Sequence, residues 1–262
     1  MNEILTYSIL LVAVVLAGGL VVQIWGNKLI KHLNLLLAFG GAYLIGLVFL
    51  HLVPEVFQGG GGHDHGHDHA AHGAHLNPGW FVLIGFILQI ILEFFSDGIE
   101  HGHFHSHKSK RAFPLAAFFS LCAHGFIEAM PLAGGAHHHH DHGHLNIEGA
   151  PLLVGIMIHT FPVAMVLAGL LLAAGLKKTT QWFYLVVFAL MPVFGMLLSD
   201  QLLHLPGIDS AALLTALSGV LIGILLHIST TMLFETSDGH RFNLTKMLTI
   251  LSGLLLAAVT LG

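Results

Sequence analysis

Charge is what this chain has least of. Asp, Glu, Lys and Arg make up 9% of its 262 residues, where a soluble domain carries about 25%. Together with 55% hydrophobic residues, that deficit excludes a water-soluble globule and the basic surface that nucleic acid requires. Cysteine is nearly absent as well. The single Cys122 lies inside an apolar segment, so there is no disulfide framework. The first residues lack the cationic stretch of a signal peptide, Glu3 being the only early charge, and residues 4–25 are expected to remain as a span.

What the chain has is apolar length. Eight segments approach the roughly 20 residues needed to cross hydrocarbon. They are 4–25, 33–57, 79–98, 113–134, 150–175, 181–203, 211–234 and 243–261. None alternates as a strand would, so the expected fold is an all-α polytopic membrane protein of eight transmembrane helices. It forms one domain over 1–262, with polar connections at 58–78, 99–112 and 135–149. Pro54, Pro131, Pro162 and Pro192 fall inside spans. In a membrane bundle, neighbouring helices can re-satisfy the carbonyls that proline frees.

The few cations are arranged systematically. Lys28, Lys31, Lys108, Lys110, Arg111, Lys177, Lys178, Arg241 and Lys246 all lie at odd-numbered connections. By the positive-inside rule those connections face the cytoplasm and both termini face outward.

Histidine replaces the missing charge. Of 23 His, 16 lie in three tracts: HDHGHDHAAHGAH at 63–75, HGHFHSH at 101–107 and HHHHDHGH at 137–144. Neutral imidazole ligates zinc, copper, nickel and iron, and interleaved Asp adds oxygen donors. His63, His65, His67, His69 and His137, His138, His139, His140 are read as external metal capture. A plain polar linker is the competing reading.

Two spans carry one phrase. HGFIEAMPLAG at 124–134 and HTFPVAMVLAG at 159–169 agree at seven of eleven positions. The spans run antiparallel, so the repeat implies a bundle with inverted pseudo-symmetry. His124 is about 11 residues into its span and His159 about 9. At 1.5 Å per residue, both sit near mid-depth of a core roughly 30 Å thick. Glu128 shares a helix face with His124. A carboxylate at the bilayer centre costs about 2.5–3.5 kcal/mol on insertion scales and needs a partner. A cation held by His124, Glu128 and His159 supplies one. A neutral Glu128 bonded to imidazole in a dry core is the alternative.

Other polar residues sketch a path. His51, Glu55, Asp200 and His204, near the outer ends of their spans, are candidates for an entrance. Gln89, Glu93 and Asp97 are spaced by four, toward His101, His103, His105 and His107. That stripe reads as an exit, or else Glu93 pairs with another helix and only fixes packing. His227 reads as a satisfied core histidine or as a ligand.

These phrases resemble the ZIP (Zrt/Irt-like protein) family of metal transporters. That family has eight spans, outward termini and a basic, His-rich connection between its third and fourth spans. Its fourth span carries His-Asn-x-x-Asp/Glu-Gly, which here is His124-Gly125-Phe126-Ile127-Glu128-Ala129. Its fifth carries His-Glu-x-Pro and then His or Glu, here His159-Thr160-Phe161-Pro162-Val163. HLVPE at His51–Glu55 and the tract HGHFHSH are also similar.

The resemblance implies a divalent-metal transporter, with zinc first, moving the ion into the cytoplasm. It implies that Gly125, Thr160, Val163 and Met191 stand where members holding a second metal place donors, so one site is expected here. Met191 either adds a thioether, favouring softer ions, or packs.

The expected partners are the transported metal ion and the bilayer. A homodimer is compatible with the chain, whereas nucleic acid and organic cofactors are not expected. A non-transporting metal sensor or buffer, and an intramembrane zinc hydrolase, are the alternatives. The hydrolase lacks an HExxH phrase, and no enzyme activity is expected.

Overall fold

The computed structural model describes residues 2–58, 77–96, 115–135, 150–234 and 244–261. These are almost wholly helical, and no strand occurs among the described residues. Eight helices are long and apolar enough to cross a bilayer: Glu3–Trp25, His32–Phe57, Pro78–Ser96, Leu115–Gly134, Pro151–Ala173, Lys178–Leu203, Ser210–Phe234 and Leu244–Leu261. The chain is a multi-pass membrane protein. In lipid only a helix satisfies its own backbone without partners, and the apolar length of each segment therefore decides its structure.

The bounds fall within about three residues of those expected, in line with the usual boundary error. The start of the sixth span differs most. Gly175 adopts φ 69°, a left-handed conformation that glycine takes without strain. Leu176 N–H then reaches back to the Leu171 carbonyl at 3.4 Å, closing a glycine-stopped helix end. The chain turns immediately and the sixth helix starts at Lys178 rather than 181.

The fourth and fifth spans are the most enclosed, while the third and eighth show most of their surface to lipid. Phe94, Phe95, Leu255 and Val259 are among the apolar side chains on that outer face. Two apolar clusters fill the interior. One gathers Phe118, Val163, Leu185 and Phe188; the other gathers Leu44, Leu47, Ile156 and Leu221.

Four of the helix pairings follow an inverted two-fold scheme, while the second span on the fifth and the third on the fourth have no equal counterpart. The third span packs on the seventh and the eighth on the second; the first packs on the fifth and the sixth on the fourth. Exchanging the first, second, third and fourth spans with the sixth, seventh, eighth and fifth maps each of these pairs onto the other. Every exchanged span runs in the opposite direction.

Close contacts carry the same relation to individual residues. A Cβ on Gly18 would lie 2.8 Å from the Phe161 carbonyl oxygen, and one on Gly195 would lie 2.0 Å from that of Phe126. Phe126 and Phe161 are the third residues of the two repeated phrases. In lipid, such small residues let backbones approach and stand in for the hydrophobic drive that water would supply.

The second pair of spans repeats the device. Gly46 abuts Ala257 and Gly223 abuts the Val82–Phe86 backbone, while Gly253 abuts Ala42 and Gly219 abuts Phe81. The triplet Leu-Ile-Gly occurs three times, ending at Gly46, Gly85 and Gly223.

Candidate metal centre

The fourth span is not one helix. Leu115–Glu128 ends at Glu128, and a short helix resumes at Leu132–Gly135. Pro131 has no N–H to give the Ile127 carbonyl. That carbonyl instead accepts from Met130 N at 3.2 Å, and the chain turns with further bonds of the same short period. Glu128 is thus the last residue of a helix, at its electronegative end, where a cation is favoured. The fifth span runs through Pro162 without a break over Ala150–Ala173. Pro162 leaves the Ile158 carbonyl without its helical donor. Gly40 of the second span comes against that place, its Cβ direction 3.6 Å from Ile158 O and 3.8 Å from His159 Cα.

These two helices bring three buried side chains together. His124 Nε2 lies 3.2 Å from Glu128 Oε2. The His124 and His159 rings stand edge to face, with centroids 5.6 Å apart. One donor atom from each of His124, Glu128 and His159 lies within 4.8 Å of the others, and all three residues are buried. Donors about 2.0–2.1 Å from one tetrahedral zinc lie roughly 3.3–3.5 Å from each other. The His124–Glu128 pair is close to that spacing, and the His159 donor lies within 4.8 Å of both. Glu128 Oε1 is buried and makes no hydrogen bond among the described residues. Such a group is costly in a membrane interior unless something positive meets it. The donor set therefore fits a divalent metal. No other group of three or more His, Cys, Asp or Glu that could hold a metal occurs among the described residues.

The side of the centre toward the sixth span is apolar. Val163, at the position of Glu128 in the second phrase, is buried with Phe188 and Ala189. Gly125 faces Phe188 and Pro192, and Met191 packs half-buried against the same apolar cluster. Thr160 is buried beside His159.

The entrance candidates form two separate pairs. His51 Nε2 lies 3.7 Å from Glu55 Oε2. His204 Nδ1 lies 2.7 Å from the Asp200 main-chain oxygen and 3.9 Å from its carboxylate. His51 stands in a π-helical turn, Val48–Leu52, just before Pro54. The wide turn lets the chain pass a residue that cannot complete an ordinary helical bond.

Of the exit stripe, Gln89 is buried and Glu93 is hydrogen-bonded to His227 Nε2 of the seventh span. Sequence reasoning treated those two residues separately and missed that they meet. Asp97, His101, His103, His105 and His107 lie outside the described residues, as do His63, His65, His67, His69 and His137, His138, His139, His140.

Neither a scan against protein-family models nor a search of curated proteins returns a match to this chain.

Proposed function

We propose that this protein carries a divalent transition metal, zinc first, across its membrane through the His124–Glu128–His159 centre. The observation that carries the reading is the position of that centre. Two imidazoles and a carboxylate converge, buried, in the middle of the two most enclosed spans. Imidazole and carboxylate together suit zinc and its first-row neighbours better than magnesium or calcium.

Two further features support transport. A site at the interface of inverted repeats, beside a helix broken at a ligand, is how many secondary transporters hold their substrate. The resemblance of the two phrases to the ZIP family points the same way, and so does the direction, into the cytoplasm with both termini outside. The metal is cargo, so no enzymatic step is assigned.

Each ligand has a role. His124 and Glu128, one turn apart on the fourth span, form a preset pair. His159 closes on the ion from the fifth span. Glu128 supplies the negative charge that offsets part of the ion's cost in hydrocarbon. Val163 and Phe188, both buried and apolar, offer no donor to a second ion.

The deciding experiment is uptake of radioactive zinc by sealed vesicles holding the purified chain, against empty vesicles. Accumulation that an ionophore releases supports transport. Saturable binding with no ionophore-sensitive pool would instead fit a sensor or buffer.

A further inference from the structure

We propose that Lys177 and Lys178, at the turn between the fifth and sixth spans, bind the phosphate headgroups of anionic phospholipids at one corner of the bundle. The site is separate from the metal centre and does not depend on the transport reading. Four of the nine Lys and Arg lie in two short links, Lys28 and Lys31 after the first span and Lys177 and Lys178 after the fifth. Each link is tight because a glycine takes a left-handed backbone, φ 54° at Gly26 and φ 69° at Gly175. The first helix ends at Trp25 and the next begins at Asn27.

The packing puts these links side by side. The first span runs antiparallel against the sixth, where a Cβ on Gly19 would lie 2.6 Å from Leu185 Cδ1. Six residues on from Gly19 is Trp25, and seven back from Leu185 is Lys178. At 1.5 Å per residue both lie about 10 Å beyond that contact, at one level. Val22, Leu33, Leu171 and Trp182, one from each of the first, second, fifth and sixth spans, belong to a single apolar cluster.

No carboxylate of these spans balances the corner. Asp and Glu are absent between Glu3 and Glu55 and between Glu148 and Asp200. Lys177 and Lys178 are exposed and make no ion pair among the described residues. The level is that of the membrane–water interface. Two of the chain's three Trp, Trp25 and Trp182, stand here, and Trp is enriched where headgroups meet hydrocarbon. Trp25 and Phe183 are 57% and 64% exposed, on a surface that acyl chains cover. A soluble acidic partner would have to displace the headgroups already at that level, whereas the bilayer itself delivers a lipid phosphate to it. Groups of four or more cations at the end of a span attract anionic lipid in this way.

The test uses the full chain in phosphatidylcholine bilayers doped with brominated-chain phosphatidylglycerol, whose bromines quench nearby Trp fluorescence. Brominated phosphatidylcholine is the reference. The expected result is preferential quenching by the anionic lipid, weakened by salt because exposed charges are screened. Lys177→Gln combined with Lys178→Gln should lower that preference by about fivefold per lysine removed. Lys177→Arg combined with Lys178→Arg should keep it. Trp80→Phe, which removes the Trp at the opposite end of the bundle, should keep it as well. Equal quenching by the two lipids, unchanged preference in the double Gln variant, or loss of preference in Trp80→Phe would overturn the site. Abolition of the preference by inorganic phosphate at constant ionic strength would show that the lysines take a free anion, and would overturn the lipid assignment.

Discussion

Gly195 of the sixth span lies against the main-chain carbonyl of Phe126, where a Cβ would stand 2.0 Å from the oxygen. Phe126 falls between His124 and Glu128, so this contact fixes the backbone that carries both ligands. Gly195→Ala forces one helix away, because a backbone carbonyl cannot swing aside. Overpacking of this kind costs about 1–3 kcal/mol, and here it also displaces two metal ligands. Gly18→Ala meets the equivalent Phe161 oxygen at 2.8 Å and should cost less, while Gly40→Ala meets Ile158 O at 3.6 Å and should be nearly neutral. Thermal melts and zinc titrations of the three variants in detergent should rank them in that order. Native zinc affinity in Gly195→Ala would show that the sixth span does not set the site.

The spans were legible because lipid leaves an apolar segment no choice but helix. His124, Glu128 and His159 were legible because a phrase repeated on antiparallel helices brings its polar residues to one depth. The Glu93–His227 bond was not. It depends on which faces of the third and seventh spans meet, and Gly85 and Gly223 decide that by allowing close approach. Hydropathy says nothing of such contacts.

Each central ligand should prove necessary. His124→Ala, Glu128→Ala and His159→Ala each remove one donor from a buried ion, and water is a poor substitute there. Breaking a buried charge pairing costs about 3 kcal/mol, or roughly a hundredfold in affinity. His204→Ala should change binding only mildly, since that side chain is 64% exposed at the end of its span. Isothermal titration with zinc, on a variant lacking 63–75, 101–107 and 137–144, measures the effect without interference from the tracts. Unchanged affinity in all three central variants would place the site elsewhere.

Acid should empty the centre. Zinc binds neutral imidazole, and a proton competes for the same nitrogen. Once acid has protonated both His124 and His159, each must lose a proton to bind. The dissociation constant should then rise by up to about a hundredfold per pH unit. The check is zinc affinity of the tract-free variant from neutral to mildly acid pH. A flat profile would mean that the imidazoles are not ligands.

The centre should hold one metal rather than two. Members of the resembling family that bind a pair need oxygen donors where this chain has Gly125, Thr160 and Val163. The Val163 side chain is buried in the same apolar cluster as Phe188 and Ala189, with no polar atom to offer. Metal analysis of the tract-free variant should give one tight ion per chain, and two would contradict the reading. Val163→Glu tests the same point from the other side. It places a carboxylate at the pseudo-symmetric counterpart of Glu128, facing an apolar wall. Without metal that carboxylate is buried and uncompensated, so the variant should melt at a lower temperature than the native chain. Zinc should recover the loss, because an ion that binds only the folded state stabilises it by mass action. The recovery should exceed the shift that zinc gives the native protein. Equal zinc-induced shifts in the two proteins would show that position 163 does not face the metal.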